Sequence, residues 1–319
     1  MARRTWAIVL AGGEGSRLHD LTTTRAGVRV PKQFCSLAGG PTLLRQTVER
    51  AAAVVPRKRV LVVVSERHRE FWRRELRDLP TENVLVQPEG RGTAAGILFP
   101  ALALARRDPG ARVLVLPSDH HVGDEAALRG AFETALGEVE RAPERIALLG
   151  VTPDAPDTQY GWIVPKPGPA GGVRPIELFV EKPGTERARE LLARGALWSS
   201  FLFACRVTAL LDAFERAQPE LTRAFLADSG ALGSGAGLAA LYRTLPQRDF
   251  SRDVLERVAD RLGVLAVPAC GWSDLGTPER VASVLARRDR PRPRPARESE
   301  RRVPILSLAL AWQQAGVAV

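Results

Sequence analysis

The sequence predicts an α/β protein with a mixed, mostly parallel central sheet and helices on both faces of that sheet. Two observations support this prediction. Short apolar runs rich in Val, Ile and Leu recur along the first half of the chain, and amphipathic segments separate them. Such runs are typical of strands buried on both faces. The first five segments alternate as strand, helix, strand, helix and strand, which is the order that parallel sheets require.

The same patterns predict the individual elements. Apolar runs predict strands at 6–11, 60–64, 83–86, 113–116, 146–150 and 262–268. Apolar residues at helical spacing predict helices at 42–55, 66–79, 97–106, 125–138, 185–194, 207–217 and 221–226. Thr42 can cap the first of these helices. The run at 113–116 is apolar enough to be a central strand.

The 319-residue chain carries a net charge of +10, which raises the question of nucleic-acid binding. Only four of its 46 basic residues are lysine, and the arginines are scattered among acidic residues. The charge therefore indicates a general arginine bias rather than a nucleic-acid surface. Cys35, Cys205 and Cys270 are odd in number and far apart, which favours a reducing compartment. Since no apolar run reaches the roughly 20 residues of a membrane span, we expect a cytoplasmic protein.

A glycine-rich loop follows the first strand. The strand ends in Leu10 and Ala11, and the loop contains Gly12, Gly13, Gly15 and Ser16. Glycines at this place let backbone N–H groups approach a ligand, and the nearby cations Arg17 and Lys32 favour a polyphosphate. The loop is not a dinucleotide fingerprint, because Leu18 takes the place of the third glycine, and no P-loop triplet occurs. A tight connection that binds nothing is the alternative.

Two more polar segments follow predicted strands. Gln87 begins a segment that contains Gly92 and Thr93, and Asp119 follows the predicted central strand. In open α/β sheets, ligands bind at the carboxyl ends of the strands. Gln87 can read the edge of a nucleotide base, Gly92 lets the backbone approach a flat ring, and Asp119 suits Mg²⁺. The alternatives are a surface turn for the first segment and a helix N-cap for Asp119.

Five motifs occur in order: Leu-Ala-Gly-Gly-x-Gly-x-Arg-Leu, Pro-Lys-Gln-Phe, Pro-Ser-Asp-His, Glu-Lys-Pro and Trp-x-Asp-x-Gly. Together they resemble the motifs of the sugar-1-phosphate nucleotidyltransferases, and the Lys-Gln-Phe ending looks most like the mannose-1-phosphate guanylyltransferases. The resemblance implies a GT-A, Rossmann-like fold and Mg²⁺ as cofactor. It implies that mannose 1-phosphate attacks the α-phosphorus of GTP in line, which gives GDP-mannose and pyrophosphate.

The resemblance also implies a role for each matching residue. The glycine loop, Gln87, Gly92 and Thr93 would bind the nucleotide, and Arg17 with Lys32 would bind its triphosphate and stabilise the departing pyrophosphate. Asp119 and Asp274 would bind the metal. The sugar-phosphate side would consist of Tyr160, Gly161, Glu181, Lys182 and Ser199, with Glu181 accepting sugar hydroxyls and Lys182 holding the phosphate. Ser199 stands where the family has an asparagine that contacts the sugar.

That departure keeps two other functions open, namely a transferase for another sugar 1-phosphate or nucleotide, and a catalytically weak sensor of sugar nucleotides. Residues 1–286 are predicted to form the nucleotidyltransferase domain, and the Arg/Pro-rich residues 287–302 an extended linker. The apolar residues 303–319 are expected to form a helix on the core or on a second subunit, which leaves a homodimer open. A membrane-surface anchor is the alternative. We expect small-molecule substrates, no nucleic acid and no stable membrane insertion.

Overall fold

The computed structural model describes residues 4–37, 39–169, 171–227 and 235–288. The predicted apolar segment 303–319, and the predicted linker from residue 289 onward, lie outside the described residues. The last described helix ends at Arg288, so that residues 287 and 288 of the predicted linker are helical.

Within the described ranges, a nine-stranded mixed sheet forms the centre of the fold. Its strands are β1 Thr5–Ala11, β2 Val60–Ser65, β3 Val84–Gln87, β4 Arg112–Pro117, β5 Ile146–Val151, β6 Gly161–Pro165, β7 Arg174–Glu181, β8 Leu197–Arg206 and β9 Leu262–Ala266. They lie side by side in the order β3-β2-β1-β4-β8-β5-β9-β7-β6. Pairing is parallel from β3 to β4 and between β5 and β9, and antiparallel at the contacts that β8 and β7 make.

Helices cover both faces of the sheet, as predicted. They are α1 His19–Thr22, α2 Leu43–Ala52, α3 Arg69–Glu75, α4 Gly92–Arg107, α5 Glu125–Arg141, α6 Thr185–Ala193, α7 Val207–Ala217, α8 Pro219–Ala227, α9 Gly235–Thr244, α10 Phe250–Asp253 and α11 Pro278–Arg288. None of the helices in the described ranges is long and apolar enough to cross a membrane.

The strand sequences explain the two-sided core. Ile8, Val113 and Val115 point to a cluster that contains side chains of α4, α7 and α8. Val9 and Leu116 point to the opposite cluster, with side chains of α2 and α5. Because successive side chains of a strand alternate between faces, a continuous apolar run is needed to bury both, and β1, β2 and β4 have such runs.

The carboxyl ends of β1, β2, β3 and β4 lie at one edge of the sheet. β1 pairs with β2 on one side and with β4 on the other, so the strand order reverses at β1. This reversal makes a crevice in which open α/β sheets bind ligands. The Ser118 N–H donates to the carbonyl of Leu10 at 3.0 Å, which brings the segment after β4 next to the glycine loop.

The start of α4 differs from the sequence prediction, and the N-cap of α5 decides between two interpretations of Asp119. The helix predicted at 97–106 begins at Gly92, because Ala94 N–H donates to the Arg248 carbonyl and Phe250 N–H donates to the Thr93 hydroxyl. This long-range support compensates for a glycine-rich first turn. The N-cap of α5 is Asp124, whose carboxylate accepts from two backbone N–H groups, so Asp119 is not the residue that caps this helix.

Further strands that the sequence did not predict are β6, most of β7, and β8. β8 pairs with β4 on one side and with β5 on the other, and its pairing with β5 shifts register between Leu148 and Gly150. Ser199 lies at this irregularity, opposite Gly150.

We predict that Gly92→Ala lowers the free energy of unfolding by about 2–4 kcal/mol. Gly92 has φ +82°, and a Cβ there would lie 2.1 Å from the carbonyl oxygen of Arg248. The variant therefore combines backbone strain with a clash that flexible side chains cannot relieve. Gly130→Ala is the matched control, because nothing lies within 4 Å of its Cβ position in α5, and it should stabilise by about 0.5–1 kcal/mol. Urea unfolding that gives equal effects for the two variants would contradict this explanation.

Candidate active site

A cavity of about 600 Å³ opens at the carboxyl ends of the parallel strands. The predicted site residues that line it are Leu10, Gly12, Gly13, Gly15, Arg17, Gln87, Gly92, Thr93, Asp119, Tyr160, Gly161, Glu181, Lys182, Ser199 and Asp274. Of the other predicted site residues, Ala11 and Lys32 are buried and do not line the cavity. The backbone of Ser16 begins a short 3₁₀ turn, Ser16–Leu18. The fold thus brings motifs from both halves of the chain to one cavity.

The glycine loop is held from below by Gln33. Its side-chain amide donates to the carbonyl oxygens of Ala11 at 3.0 Å and Gly13 at 2.8 Å, and Gln33 is 2% exposed. Gly15 has φ +63° and packs on Lys32. A Cβ at residue 15 would lie 3.0 Å from the backbone nitrogen of Lys32. The Lys-Gln-Phe segment therefore supports the loop, a role that the sequence did not assign to Gln33.

Lys32 lies between the two predicted metal ligands. Its Nζ is 2.7 Å from Oδ2 of Asp119 and donates to the backbone carbonyl of Asp274 at 2.5 Å. The sequence resemblance predicts that Lys32 binds a triphosphate together with Arg17. The structure separates them, because Arg17 is exposed on the cavity wall whereas the Lys32 side chain is 9% exposed beneath Asp119.

Burial raises the pKa of Asp119, but the neighbouring groups, foremost the ammonium of Lys32, together hold that pKa below its ordinary value. Burial lowers the pKa of the neighbouring His120 ring and exceeds the opposite effect of Asp119 and Asp274. Trp272 donates its indole N–H to Nδ1 of His120 at 3.3 Å. This leaves the proton on Nε2, which lies 3.7 Å from Oδ1 of Asp119.

Asp274 accepts several hydrogen bonds. The hydroxyl of Tyr160 donates to Oδ1 at 2.8 Å, the N–H of Gly276 donates to the same oxygen at 3.0 Å, and Nη1 of Arg280 lies 2.9 and 3.1 Å from the two oxygens. Burial raises the pKa of Asp274, but His120, Arg280 and the hydrogen bond from Tyr160 together hold it below its ordinary value. The carboxylate is therefore ionised and fixed in direction.

The donor set fits a divalent cation. Within the described ranges, no group of three or more His, Cys, Asp or Glu side chains could hold a metal ion. Mg²⁺ usually binds one or two carboxylates and completes its shell with substrate phosphates and water. Asp119 and Asp274 supply two ionised carboxylates on one cavity wall, and the ammonium of Lys32 already occupies a position between their segments where positive charge is stabilised.

A second ion pair also lines the cavity. Nζ of Lys182 lies 3.1 Å from Oε1 of Glu181, whose side chain is 8% exposed. Burial raises the pKa of Glu181, and Lys182 offsets only part of this effect. A Cβ at Gly161 would lie 2.6 Å from Oε2 of Glu181 and 3.2 Å from Cβ of Ser199. Glycine at 161 is therefore what lets Glu181 and Ser199 converge.

In the part of the chain that the structure describes, three non-glycine residues have left-handed backbone conformations: Lys182 with φ 49°, Phe201 with φ 61° and Leu275 with φ 51°. Lys182 and Phe201 line the cavity, and Leu275 directly follows Asp274. Such conformations cost free energy and concentrate at functional sites. Their positions support the assignment of this cavity as the active site.

Gln87 is held by a residue that the sequence analysis did not identify. Its Nε2 donates to the hydroxyl of Tyr242 at 3.0 Å, and Tyr242 is fully buried in α9. Its Oε1 lies 2.7 Å from where a Cβ of Gly12 would be. Gly12 thus makes room for Gln87, and Tyr242 directs the amide oxygen of Gln87 toward the glycine loop. No local sequence signal links residues 87 and 242.

The profile of the Nucleotidyl transferase family matches residues 6–287. The mannose-1-phosphate guanylyltransferase of Escherichia coli K12 is 33% identical over 287 residues, which are 86% of this chain and 58% of that protein. The xanthan biosynthesis protein XanB of Xanthomonas campestris pv. campestris B100 is 33% identical over 283 residues, 85% of this chain and 57% of that protein. This chain therefore spans less than two thirds of the length of these relatives.

A solved structure from Thermus thermophilus, described as a mannose-1-phosphate geranyltransferase, superposes with a TM-score of 0.75 at 33% identity. The match covers 89% of this chain and 79% of that one. The family match at residues 6–287 includes all the residues that line the cavity.

We predict that Lys32→Met destabilises the fold at pH 7 by about 1–2 kcal/mol. The loss of a buried ion-pair partner costs more than this, but Asp119 remains 36% exposed, so solvent screens part of the effect. In the wild type the depressed pKa of Asp119 adds stability above the unfolded-state pKa of about 3.9, and this stability is lost as the pH falls through the folded-state value.

Without Lys32, burial raises the pKa of Asp119. A buried, ionised Asp119 then lowers the free energy of unfolding of the variant at pH 7, and this loss disappears as the pH falls and the carboxylate is protonated. The difference in unfolding free energy between wild type and variant should therefore be largest at pH 7 and shrink toward pH 4. Urea titrations at the two pH values measure it. Lys166→Met removes an exposed lysine and should change little; a pH-independent difference for Lys32→Met would contradict the ion-pair explanation.

Proposed function

Because the chain belongs to the nucleotidyl transferase family, we propose that it transfers GMP from GTP to mannose 1-phosphate, which gives GDP-mannose and pyrophosphate. The observation that carries the proposal is the arrangement of the cavity. A glycine loop, two aspartates and the Glu181–Lys182 pair beside a close-approach glycine line one cavity. The names of the similar proteins from Escherichia coli and Xanthomonas campestris support the same substrates.

The reaction needs little covalent chemistry from the protein. The phosphate of mannose 1-phosphate is itself the nucleophile, so no general base is required, and catalysis rests on positioning and on charge stabilisation. Lys182 binds the attacking phosphate, and its left-handed backbone directs the side chain away from the extended path of β7. Arg17 binds the triphosphate and stabilises the pyrophosphate that leaves. Lys32 keeps Asp119 and the backbone at Asp274 together from behind the wall.

Asp119 and Asp274 would hold a divalent ion, which we propose is Mg²⁺. When bound, it supplies positive charge to phosphate oxygens of the two substrates. The protein's part is to hold both carboxylates ionised and oriented. Lys32 does so for Asp119, and Tyr160 and Arg280 do so for Asp274.

The base side favours guanine. The side-chain amide of Gln87 donates an N–H to the hydroxyl of Tyr242. Its carbonyl oxygen remains to accept a hydrogen bond from a ligand. The guanine N1–H and amino group are donors, whereas adenine presents an acceptor at N1. An acceptor that meets the N1 position of the base therefore favours guanine, because adenine has a donor only at its 6-amino group.

A different sugar 1-phosphate is the second candidate, and Ser199 is the observation that favours it. The Ser199 hydroxyl accepts from the N–H of Phe201 at 3.4 Å within its own turn. A serine reaches less far than the asparagine typical of the family and offers one hydroxyl instead of an amide. A serine leaves more space here than an asparagine would, which would admit a differently substituted ring.

The decisive experiment measures pyrophosphate release with Mg²⁺, crossing GTP, ATP, UTP and dTTP with mannose 1-phosphate and glucose 1-phosphate. Release with GTP and mannose 1-phosphate is the expected result. Asp119→Asn and Asp274→Asn should each lower turnover at least ~100-fold, the scale of losing a key electrostatic contact. Asp124→Asn is the matched control, because asparagine also caps a helix and should leave turnover unchanged.

Pyrophosphate release with another nucleotide–sugar pair would support the same mechanism and identify different substrates. Binding of GDP-mannose without any release would favour a sensor. Normal turnover in both aspartate variants would remove the assignment of Asp119 and Asp274.

The two tyrosines of the chain offer a matched pair of substitutions, since Tyr160 contacts Asp274 and Tyr242 contacts Gln87. We predict that Tyr242→Phe raises KM for GTP about 5- to 30-fold and weakens the preference for GTP over ATP. The loss of one buried hydrogen bond, about 1–2 kcal/mol, sets this range. Tyr160→Phe removes a donor from Asp274 instead, so it should lower kcat and leave the nucleotide preference intact. Steady-state kinetics with both nucleotides tests this, and an unchanged preference in Tyr242→Phe would refute the role given to Tyr242.

A further inference from the structure

Arg280 joins three residues of the cavity wall. It lies in α11, and its side chain is 17% exposed. Nη1 contacts both carboxylate oxygens of Asp274 at 2.9 and 3.1 Å, and Nη2 forms an ion pair with Asp157. The guanidinium carbon lies 4.2 Å from the centre of the Tyr160 ring. Asp274, Tyr160 and the loop before β6 are thus fixed to one side chain.

The backbone is shaped to hold this contact. A Cβ at Gly276 would lie 2.4 Å from Oδ2 of Asp274 and 2.9 Å from Nη1 of Arg280. Any other residue at 276 would push the carboxylate and the guanidinium apart. Val281 and Val284 anchor α11 in an apolar cluster with Leu18 and Leu43, so Arg280 is presented from a packed helix rather than from a loop.

Arg280 also compensates charge. Asp274 and Asp157 share this guanidinium, while Asp119 is paired with Lys32. A divalent cation that binds Asp274 meets the repulsion of a guanidinium on the same carboxylate, and this repulsion is strong at such short range. Phosphate oxygens of a nucleotide bring negative charge that offsets it. The free site is therefore a poorer metal site than two aspartates alone would make.

We propose that Arg280 is a positioning residue that fixes the carboxylate of Asp274 and, by compensating its charge, prevents firm binding of a divalent ion before the nucleotide phosphates arrive. This inference rests on the proposed function, because it assumes that Asp274 is a metal ligand.

The test measures binding of Mn²⁺ alone to the full chain by the loss of the free-ion signal in electron paramagnetic resonance. Arg280→Gln removes the charge and Arg280→Lys keeps it, and Arg287→Gln makes the same change at an exposed position of the same helix. We expect weak binding to the wild type, to Arg280→Lys and to Arg287→Gln. Arg280→Gln should bind Mn²⁺ at least about tenfold more tightly. A Mn²⁺ affinity of Arg280→Gln that equals or falls below that of the wild type overturns charge compensation.

Kinetics tests the positioning half. Both Arg280→Lys and Arg280→Gln lose the planar fork, so each should lower kcat about 10- to 100-fold. The KM for GTP should change less than about threefold, because the nucleotide side is untouched. Wild-type kcat in either variant overturns positioning. If Arg280→Gln does not fold, Arg280→Met, which keeps the aliphatic packing on Tyr160, replaces it in both measurements.

A second binding measurement, together with the Mn²⁺ titration, separates this inference from the proposed function. Calorimetry with preformed Mn²⁺–GTP should show binding to the wild type. If Mn²⁺–GTP binds and Arg280→Gln gains no affinity for Mn²⁺ alone, only the role of Arg280 is wrong. If neither Mn²⁺ nor Mn²⁺–GTP binds to any variant, the metal-assisted transfer itself is wrong, and the role of Arg280 with it.

Discussion

The site depends on the contact of one ammonium group with two distant segments. Lys32 touches the carboxylate of Asp119 at the end of β4 and the backbone carbonyl of Asp274, 242 residues further along the chain. Without it, a half-buried carboxylate and a carbonyl would face each other with no compensating charge. A compact ammonium can contact two oxygens from different segments without the fixed planar geometry that the fork of arginine requires. In a chain with so few lysines, this geometry accounts for a lysine here.

The sequence predicts the parts of the fold that local patterns determine. Continuous apolar runs identify β1, β2 and β4, and the glycine loop and Asp119 follow two of them, so their meeting at one edge of the sheet is predictable. β8 was not predicted, because its burial depends on pairing with β4 and β5 across a register shift. Tyr242 and Arg280 were missed for a related reason. Each acts on a partner in another element, Gln87 or Asp157, and no short motif joins the pairs.

Gln33 and Gly276 illustrate an intermediate case. Both belong to motifs that the sequence makes visible, but their roles require coordinates. Gln33 satisfies two carbonyls of the glycine loop, and Gly276 leaves space for Arg280 on Asp274. A motif therefore records the residues that contact ligands together with those that shape the backbone beneath them, and spacing alone does not separate the two kinds.

The strained residues argue that this cavity is organised before any ligand binds. Lys182, Phe201 and Leu275 each hold a left-handed conformation that costs on the order of 1–3 kcal/mol. Packing compensates for two of them, since Phe201 contacts the buried ring of Phe250 and Leu275 lies in the apolar cluster beneath α11. A transfer that relies on positioning rather than on a general base gains most from such rigidity, because charged groups already in place need no reorganisation when the phosphates react. The backbone strain is thus the free-energy cost of holding the site in its organised conformation before a ligand binds.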